Sequence, residues 1–347
     1  MISSGDWMRT LASVEAYDGA EFEPALVAAC EDASRLRPLG PIRFSTPTFK
    51  EYESGELSGC RKNSFPAFSV TGAACALDCD HCRAKILEPM IPATDPDMLD
   101  RKVRDLVLLQ NLQGFLLSGG SNRRNEIKYE RYYPTIERLK RDFPYLKIAI
   151  HSALIDESRA KAMESAGVDT AMMDVIGADE TIRDVYHLDR PVEDFERALA
   201  ALSATRMQVV PHIVIGLHYG SILGEARALE IVARHSVHSL VLVIVMPIYA
   251  RPGTFRTPPA DDVGRLFLIA REKMGGRPVQ LGCARPPGMH KRMVDAYAVM
   301  AGLDGVAFPA EGAVALAEAL GRPFEQQHAC CSIKVGDSLP GVRSCAA

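Results

Sequence analysis

Cys75, Cys79 and Cys82 stand in a Cys-x3-Cys-x2-Cys spacing just after Phe68-Ser-Val-Thr-Gly72, an apolar run closed by a turn residue. That context predicts a loop at the end of a β-strand, and a tight loop can turn three thiolates toward one centre. Thiolates suit zinc or an iron–sulfur cluster. Structural zinc favours a matching second pair of ligands, and no nearby fourth ligand is present. The spacing leaves one metal corner open, which is where chemistry would take place. A zinc knuckle or three core cysteines are the plainer alternatives.

Four of the other cysteines sit in polar settings: Cys60 in Gly-Cys-Arg-Lys, Cys283 in Gly-Cys-Ala-Arg-Pro, and Cys330 and Cys331 in His-Ala-Cys-Cys-Ser. These do not look like core. A segment before the first strand, a strand-end loop and a C-terminal segment can converge over one mouth and hold a second cluster. Cys30 lies on a helical stripe with Leu26, Val27 and Ala33 and reads as a buried structural thiol. Cys345, in a polar tail, reads as unliganded. Ser118-Gly119-Gly120 lets backbone approach a ligand closely, because glycine has no Cβ. Asp174 ends the apolar run Ala171-Met-Met, where an unpaired carboxylate would be costly, and the hydroxyls of a ribose diol would supply donors. Its alternative role is a helix cap, for which Asp179 is better placed. His151, His212 and His218 read as hydrogen-bonded residues of the sheet rather than ligands.

The elements that must position these residues are legible from residue 67 onward. Short β-branched runs alternate with amphipathic stretches of ten or more residues, the pattern of repeated β-α units on a parallel sheet. Strands are predicted at about 67–71, 114–118, 146–151, 169–174, 208–215, 240–246, 278–282 and 305–308. Eight units in about 250 residues fit a (β/α)8 TIM-type barrel, with a flat doubly wound sheet as the alternative. Residues 1–65 read as an N-terminal helical and extended layer packed on the barrel, and 66–321 as the barrel itself. Residues 322–347 read as a C-terminal lid segment carrying the vicinal cysteine pair. Seven predicted strands end in polar or glycine-rich groups on one face, the face where such barrels place their chemistry.

Composition narrows the partners. A formal net charge of −4 over 347 residues gives no overall electrostatic reason to expect nucleic acid or an anionic membrane. The N-terminus lacks a secretory pattern, and no run reaches the roughly 18 apolar residues of a membrane span. The expected location is cytoplasmic, where nine cysteines argue for metal or redox chemistry rather than disulfides. The basic residues between Arg123 and Arg141 are interrupted by Glu126, Glu130 and Glu137 and read as a solvated, salt-bridged face, with a docking patch for an acidic carrier protein as the alternative.

The cysteine motif resembles that of the radical S-adenosylmethionine (SAM) superfamily, in which three cysteines hold a [4Fe-4S] cluster and SAM chelates the fourth iron. The residue before the last cysteine, usually aromatic there, is His81. Ser118-Gly119-Gly120 is similar to the family's segment that holds the SAM amino group, with Ser121 replacing the acid. Asp174 resembles the ribose-binding acid of biotin synthase-like members, and Pro211-His-Ile-Val-Ile-Gly216 loosely resembles the motif beside the adenine. The resemblance thus implies SAM contacts from His81, Ser118, Gly119, Gly120, His151, Ser152, Asp174, Ile215 and Met246. Together with Lys85-Ile-Leu-Glu88, Val185-Tyr-His-Leu188 and Leu281-Gly-Cys-Ala-Arg-Pro286, these motifs resemble the paired proteins that act as a split lipoyl synthase. That branch implies sulfur insertion into a protein-bound octanoyl chain, with sulfur drawn from an auxiliary iron–sulfur cluster on Cys60, Cys283, Cys330 and Cys331. It further implies an octanoylated carrier protein domain, a second radical SAM subunit and a low-potential electron donor of ferredoxin or flavodoxin type. Biotin synthase-like chemistry on a small molecule and a non-catalytic iron–sulfur scaffold are the alternatives.

Overall fold

The computed structural model describes residues 7–47, 52, 54–57, 64–110 and 112–333. Eleven strands form one sheet: β1 Ile42–Ser45, β2 Ala67–Ser69, β3 Ile91–Pro92, β4 Gly114–Ser118, β5 Lys147–His151, β6 Thr170–Asp174, β7 Gln208–Ile215, β8 Leu240–Ile244, β9 Val279–Leu281, β10 Gly305–Ala307 and β11 Phe324–Gln327. Their order is β11-β1-β10-β9-β8-β7-β6-β5-β4-β2-β3, and every strand pairing is parallel. All eight predicted strands are present as the consecutive run β2, β4 to β10.

The expected closed eight-stranded barrel is not formed. Among the described residues the sheet has two edges, at β11 and β3. Ile42–Ser45, read as part of an extended layer, is instead a strand that takes the free side of β10, and β3 takes the free side of β2. Both positions at which β2 and β10 would have met are therefore occupied. The result is a curled half-barrel.

Two apolar layers explain why the strands read as nearly continuous hydrophobic runs. Ile213, Ile215, Leu240, Leu242 and Leu281 face the surrounding helices, in the larger core. Ala149, Met172, Val210, Val241 and Ala307, from five different strands, cluster on the concave face. Alternation along the strands divides the two sets. Ala329, Cys331 and Ile333 join the concave cluster, so this stretch tucks into the half-barrel where a lid over the mouth was expected.

Two of the helices begin at a side-chain cap. Asp95 Oδ1 accepts from the Met98 amide at 2.8 Å ahead of Pro96–Gln110, and Asp156 Oδ1 accepts from the Arg159 amide at 2.9 Å ahead of Glu157–Ser165. Asp179 is not the cap of Asp179–Tyr186. That place belongs to Ala178, while the Asp179 carboxylate accepts from the Val192 amide at 2.7 Å and ties the next helix down. Pro24–Leu36 lies over Ala260–Met274 and Met289–Met300, burying Cys30 completely. Among the described residues no helix is long and apolar enough to cross a membrane.

Candidate active site

The cysteine loop leaves β2 at the mouth of the half-barrel and is held from both sides. On one side the Ala76 amide donates to Ser121 O at 2.9 Å, and Cys75 Sγ lies 3.7 Å from the same carbonyl. On the other, the Asp80 amide donates to Val185 O at 3.0 Å, Tyr219 Oη donates to Asp80 Oδ2 at 3.1 Å, and His187 Nε2 lies 3.1 Å from Asp80 Oδ1. The loop thus bridges the strand-end segments after β4, β6 and β7. Within it Asp78, Arg83 and Ala84 adopt left-handed backbone, φ 49°, 47° and 60°. Such residues cost about 1–3 kcal/mol each and persist where surrounding contacts over-determine them.

Gly119 and Gly120 have a local reason to be glycine. A Cβ on Gly120 would fall 2.0 Å from Ala74 O and 2.6 Å from Cys75 Cα, and one on Gly119 would fall 2.7 Å from Val70 Cγ2. The pair lets the cysteine loop lie flat on the end of β4. The Gly120 amide is already given to Thr71 Oγ1 at 2.7 Å, and Ser118 O accepts from the Val70 amide at 2.8 Å. A cavity of about 770 Å3 opens beside this junction, lined by Thr71, Ala74, Cys75, Gly120, Ser121 and Arg131 among others.

Cys75, Cys79 and Cys82 are all free thiols. Burial, and then the nearby Cys82 and Cys75 sulfurs, push the Cys79 thiol far up, and burial pushes Cys82 up to about 11. Three thiols on one loop are a donor set that fits iron–sulfur ligation, which takes the thiolate form. No group of three His, Cys, Asp or Glu side chains among the described residues is close enough for a single metal ion.

Asp174, the last residue of β6, faces the same mouth. His151 Nε2 lies 3.7 Å from its Oδ1, and the His151 and His212 rings meet edge to face with centroids 5.5 Å apart. Burial works to raise the Asp174 carboxyl, but His151, His212 and His81 outweigh it and leave the group below the usual carboxylate range. His151 shows the converse: burial opposes its protonation, and Asp174 outweighs burial and raises it. His212 Nδ1 donates to Val210 O at 3.1 Å, and burial drives the ring down to about 4. His81 stacks on Tyr186 at 5.2 Å, is also driven down to about 4 by burial, and has a shielded Nδ1 with no partner.

Other expected contacts scatter. Met246 stands at the mouth just after β8, whereas Ile215 is sealed in the helix-side core and its carbonyl is taken by the Val245 amide at 3.0 Å. Ser152 is buried, with its amide on Met172 O and its hydroxyl on Ala153 O. Sequence reasoning missed Asp80, Tyr186 and Tyr219. Their roles come from contacts over as many as 139 positions, as between Tyr219 and Asp80, and no local pattern marks them.

Cys283, Cys330 and Cys331 gather on the concave side. Cys283 and Cys330 pack on the cluster that contains Cys331 and Met172, and Cys330 lies within electrostatic reach of His151. A hydrogen bond with Cys331 lowers the Cys330 thiol to about 7 and raises that of Cys331. Gln327 Nε2 holds the turn by donating to the carbonyls of Cys330 and Ile333. Cys60 lies outside the described residues, as does Cys345.

The chain is thus a curled parallel sheet with a loop of three cysteines at the C-terminal end of β2. Residues 69–221 match the sequence profile of the radical SAM superfamily. In fold the chain is similar to HydG, a maturase of the [FeFe]-hydrogenase, with a TM-score of 0.58 at 12% identity, covering 88% of this chain and 68% of that one. It is similar also to methylornithine synthase (PylB), with a TM-score of 0.53 at 11% identity, covering 93% and 94%. HydG from Carboxydothermus hydrogenoformans gives 0.51 at 14% identity, over 88% and 67%. No curated protein matches the chain in sequence. The profile match makes residues 69–221 similar to radical SAM proteins, and the likeness to the solved structures is one of fold.

Proposed function

We propose that this chain is a radical SAM enzyme that inserts sulfur into a protein-bound octanoyl chain, drawing the sulfur from a second iron–sulfur cluster. The observation that carries the reading is the gathering of Cys283, Cys330 and Cys331 on the concave face of the sheet whose mouth holds Cys75, Cys79 and Cys82. When bound, the first cluster and SAM supply a 5′-deoxyadenosyl radical by reductive cleavage. Cys75, Cys79 and Cys82 would hold that cluster. Asp174 would accept hydrogen bonds from the ribose, and the His81–Tyr186 stack would flank the nucleoside. Cys283, Cys330 and Cys331 would hold the second cluster, with Cys60 as a candidate fourth ligand. The concave residues Ala149, Met172, Val210 and Val241 form an apolar wall that can take an alkyl chain and exclude water from it. A low-potential electron donor and a second radical SAM subunit belong to the same reading.

Two variants test it. Replacing Cys75, Cys79 and Cys82 together by Ala should abolish 5′-deoxyadenosine formation after reduction while leaving iron on the protein. Cys283→Ala should still form 5′-deoxyadenosine yet transfer no sulfur to an octanoyl-lysine carrier. Only about four irons per wild-type chain after full anaerobic reconstitution, the content of one [4Fe-4S] cluster, would remove the second cluster and shift the function to radical chemistry without sulfur insertion.

A further inference from the structure

The loops after β7 and β8, residues 216–224 and 245–259, form a continuous part of the mouth rim. They are locked together: the Arg256 amide donates to Tyr219 O, Arg256 Nη2 donates to Ser221 Oγ at 3.0 Å, and a Cβ on Gly220 would meet Arg256 O at 2.1 Å. Through Tyr219 and Asp80 the same unit is tied to the cysteine loop. Its outer surface is unusual for the rim of a closed core. Ile248 is 70% exposed, and Ile222 and Leu223 are each 40% exposed.

The charge on this surface has one sign. Neither loop contains an acidic residue, although the whole chain carries four more acidic than basic groups. Arg251 and Arg256 are exposed, and the described residues offer neither of them an ion pair. Carboxylates that border the rim are engaged elsewhere, Asp80 with His187 and Tyr219, Asp184 with Arg183, and Glu225, which is buried, with the Gly216 amide. Exposed aliphatics interleaved with unpaired arginines are the composition of a protein-docking surface, in which arginine is enriched and lysine depleted.

We propose that this rim docks an acidic carrier domain that presents the acyl chain on an extended side-chain arm. The proposal rests on the sulfur-insertion reading, because a chain entering the mouth from a tethered arm requires its carrier to sit on the rim. Arg251 and Arg256 steer the acidic face of the carrier, and Ile222, Leu223 and Ile248 take up its apolar contacts. A second radical SAM subunit is the competing occupant.

The test compares wild type with Arg251→Glu and with Ile248→Asp, each reconstituted and checked for an unchanged melting temperature and SAM affinity. Substrates are an octanoyl-lysine carrier domain and a short octanoyl-lysine peptide. Both variants should raise KM for the carrier about tenfold or more, the scale of losing an interfacial anchor, and leave the peptide unchanged. Equal KM for the carrier in variant and wild type overturns the docking surface. If wild type modifies neither substrate, the sulfur-insertion reading fails, and calorimetric titration with the carrier domain then decides the docking surface by itself. Weaker binding by the variants keeps the surface, whereas equal or absent binding overturns it. Loss of association with a second radical SAM subunit, with carrier binding intact, also overturns it.

Discussion

Arg285 and Asp295 form a bidentate ion pair from which solvent is wholly excluded, with Nε–Oδ1 at 2.6 Å and Nη2–Oδ2 at 2.9 Å. Arg285 also donates to Gly282 O and Phe308 O, and Asp295 accepts from the Ala310 amide. The pair therefore fastens the loop after β9, which carries Cys283, to the loop after β10. Removing one partner leaves a buried charge uncompensated. Asp295→Asn should cost about 3–5 kcal/mol in a urea melt, and pairing Arg285→Met with Asp295→Leu should recover much of it. A single variant as stable as wild type would deny the pair this fastening role.

Gly120→Ala should be the most damaging conservative change near the cysteine loop. Its Cβ meets backbone at 2.0 Å, and backbone cannot swing aside as a side chain can. Gly119→Ala meets a valine methyl and should be milder. Iron content after reconstitution is the readout, with Gly120→Ala lower than Gly119→Ala. The reverse order would contradict the packing account.

Asp174→Asn keeps shape and removes charge at the end of β6. If Asp174 receives the ribose hydroxyls, SAM binding should weaken by about 1–3 kcal/mol in calorimetry, the scale of a hydrogen bond to a charged group. Unchanged affinity would take Asp174 out of the nucleoside site.

His81 and His212 predict a pH dependence with a definite sign. Burial holds each at about 4 in the folded chain, against about 6.5 when unfolded. Between those values the unfolded chain binds protons that the folded chain refuses, so stability rises with pH across that window. The contribution is complete above about pH 6.5 and lost as pH falls toward 4. His151, raised by Asp174, acts in the opposite sense: its contribution is present below its unfolded value and lost as pH rises through its folded one. Melting temperatures at pH 7 and pH 5 should show the net loss on acidification for apoprotein, and His212→Asn should shrink it. A variant with the wild-type slope would show that His212 does not titrate in this way.

The eight central strands were legible because they are short, mostly apolar runs, most of them followed by a glycine or polar strand end. β3 and β11 were not, since Ile91–Pro92 is two residues long and Phe324-Glu-Gln-Gln carries almost no β-branched or apolar signal. Ile42–Ser45 was read as extended, but nothing local says that it pairs with residues near the end of the chain. The cysteine trio and Asp174 could be named from spacing and context, and the structure draws both to one mouth. Asp80, Tyr186 and Tyr219, which fix the cysteine loop, depend on which strand ends become neighbours, and that is a property of the sheet rather than of any segment.

The placement of β1 also governs when the molecule can be finished. Its partners come near the end of the chain, as with Arg43 and Glu325, which are 282 positions apart. On the ribosome β1 emerges long before its sheet neighbours and waits for them until residues 305–327 have been made. Contacts of such range are slow to form, because loop closure precedes any stabilisation they return. Cys330 and Cys331 follow β11, so they emerge long after the cysteine loop of β2. The two sets of thiols thus become available in a fixed temporal order, mouth first and interior last.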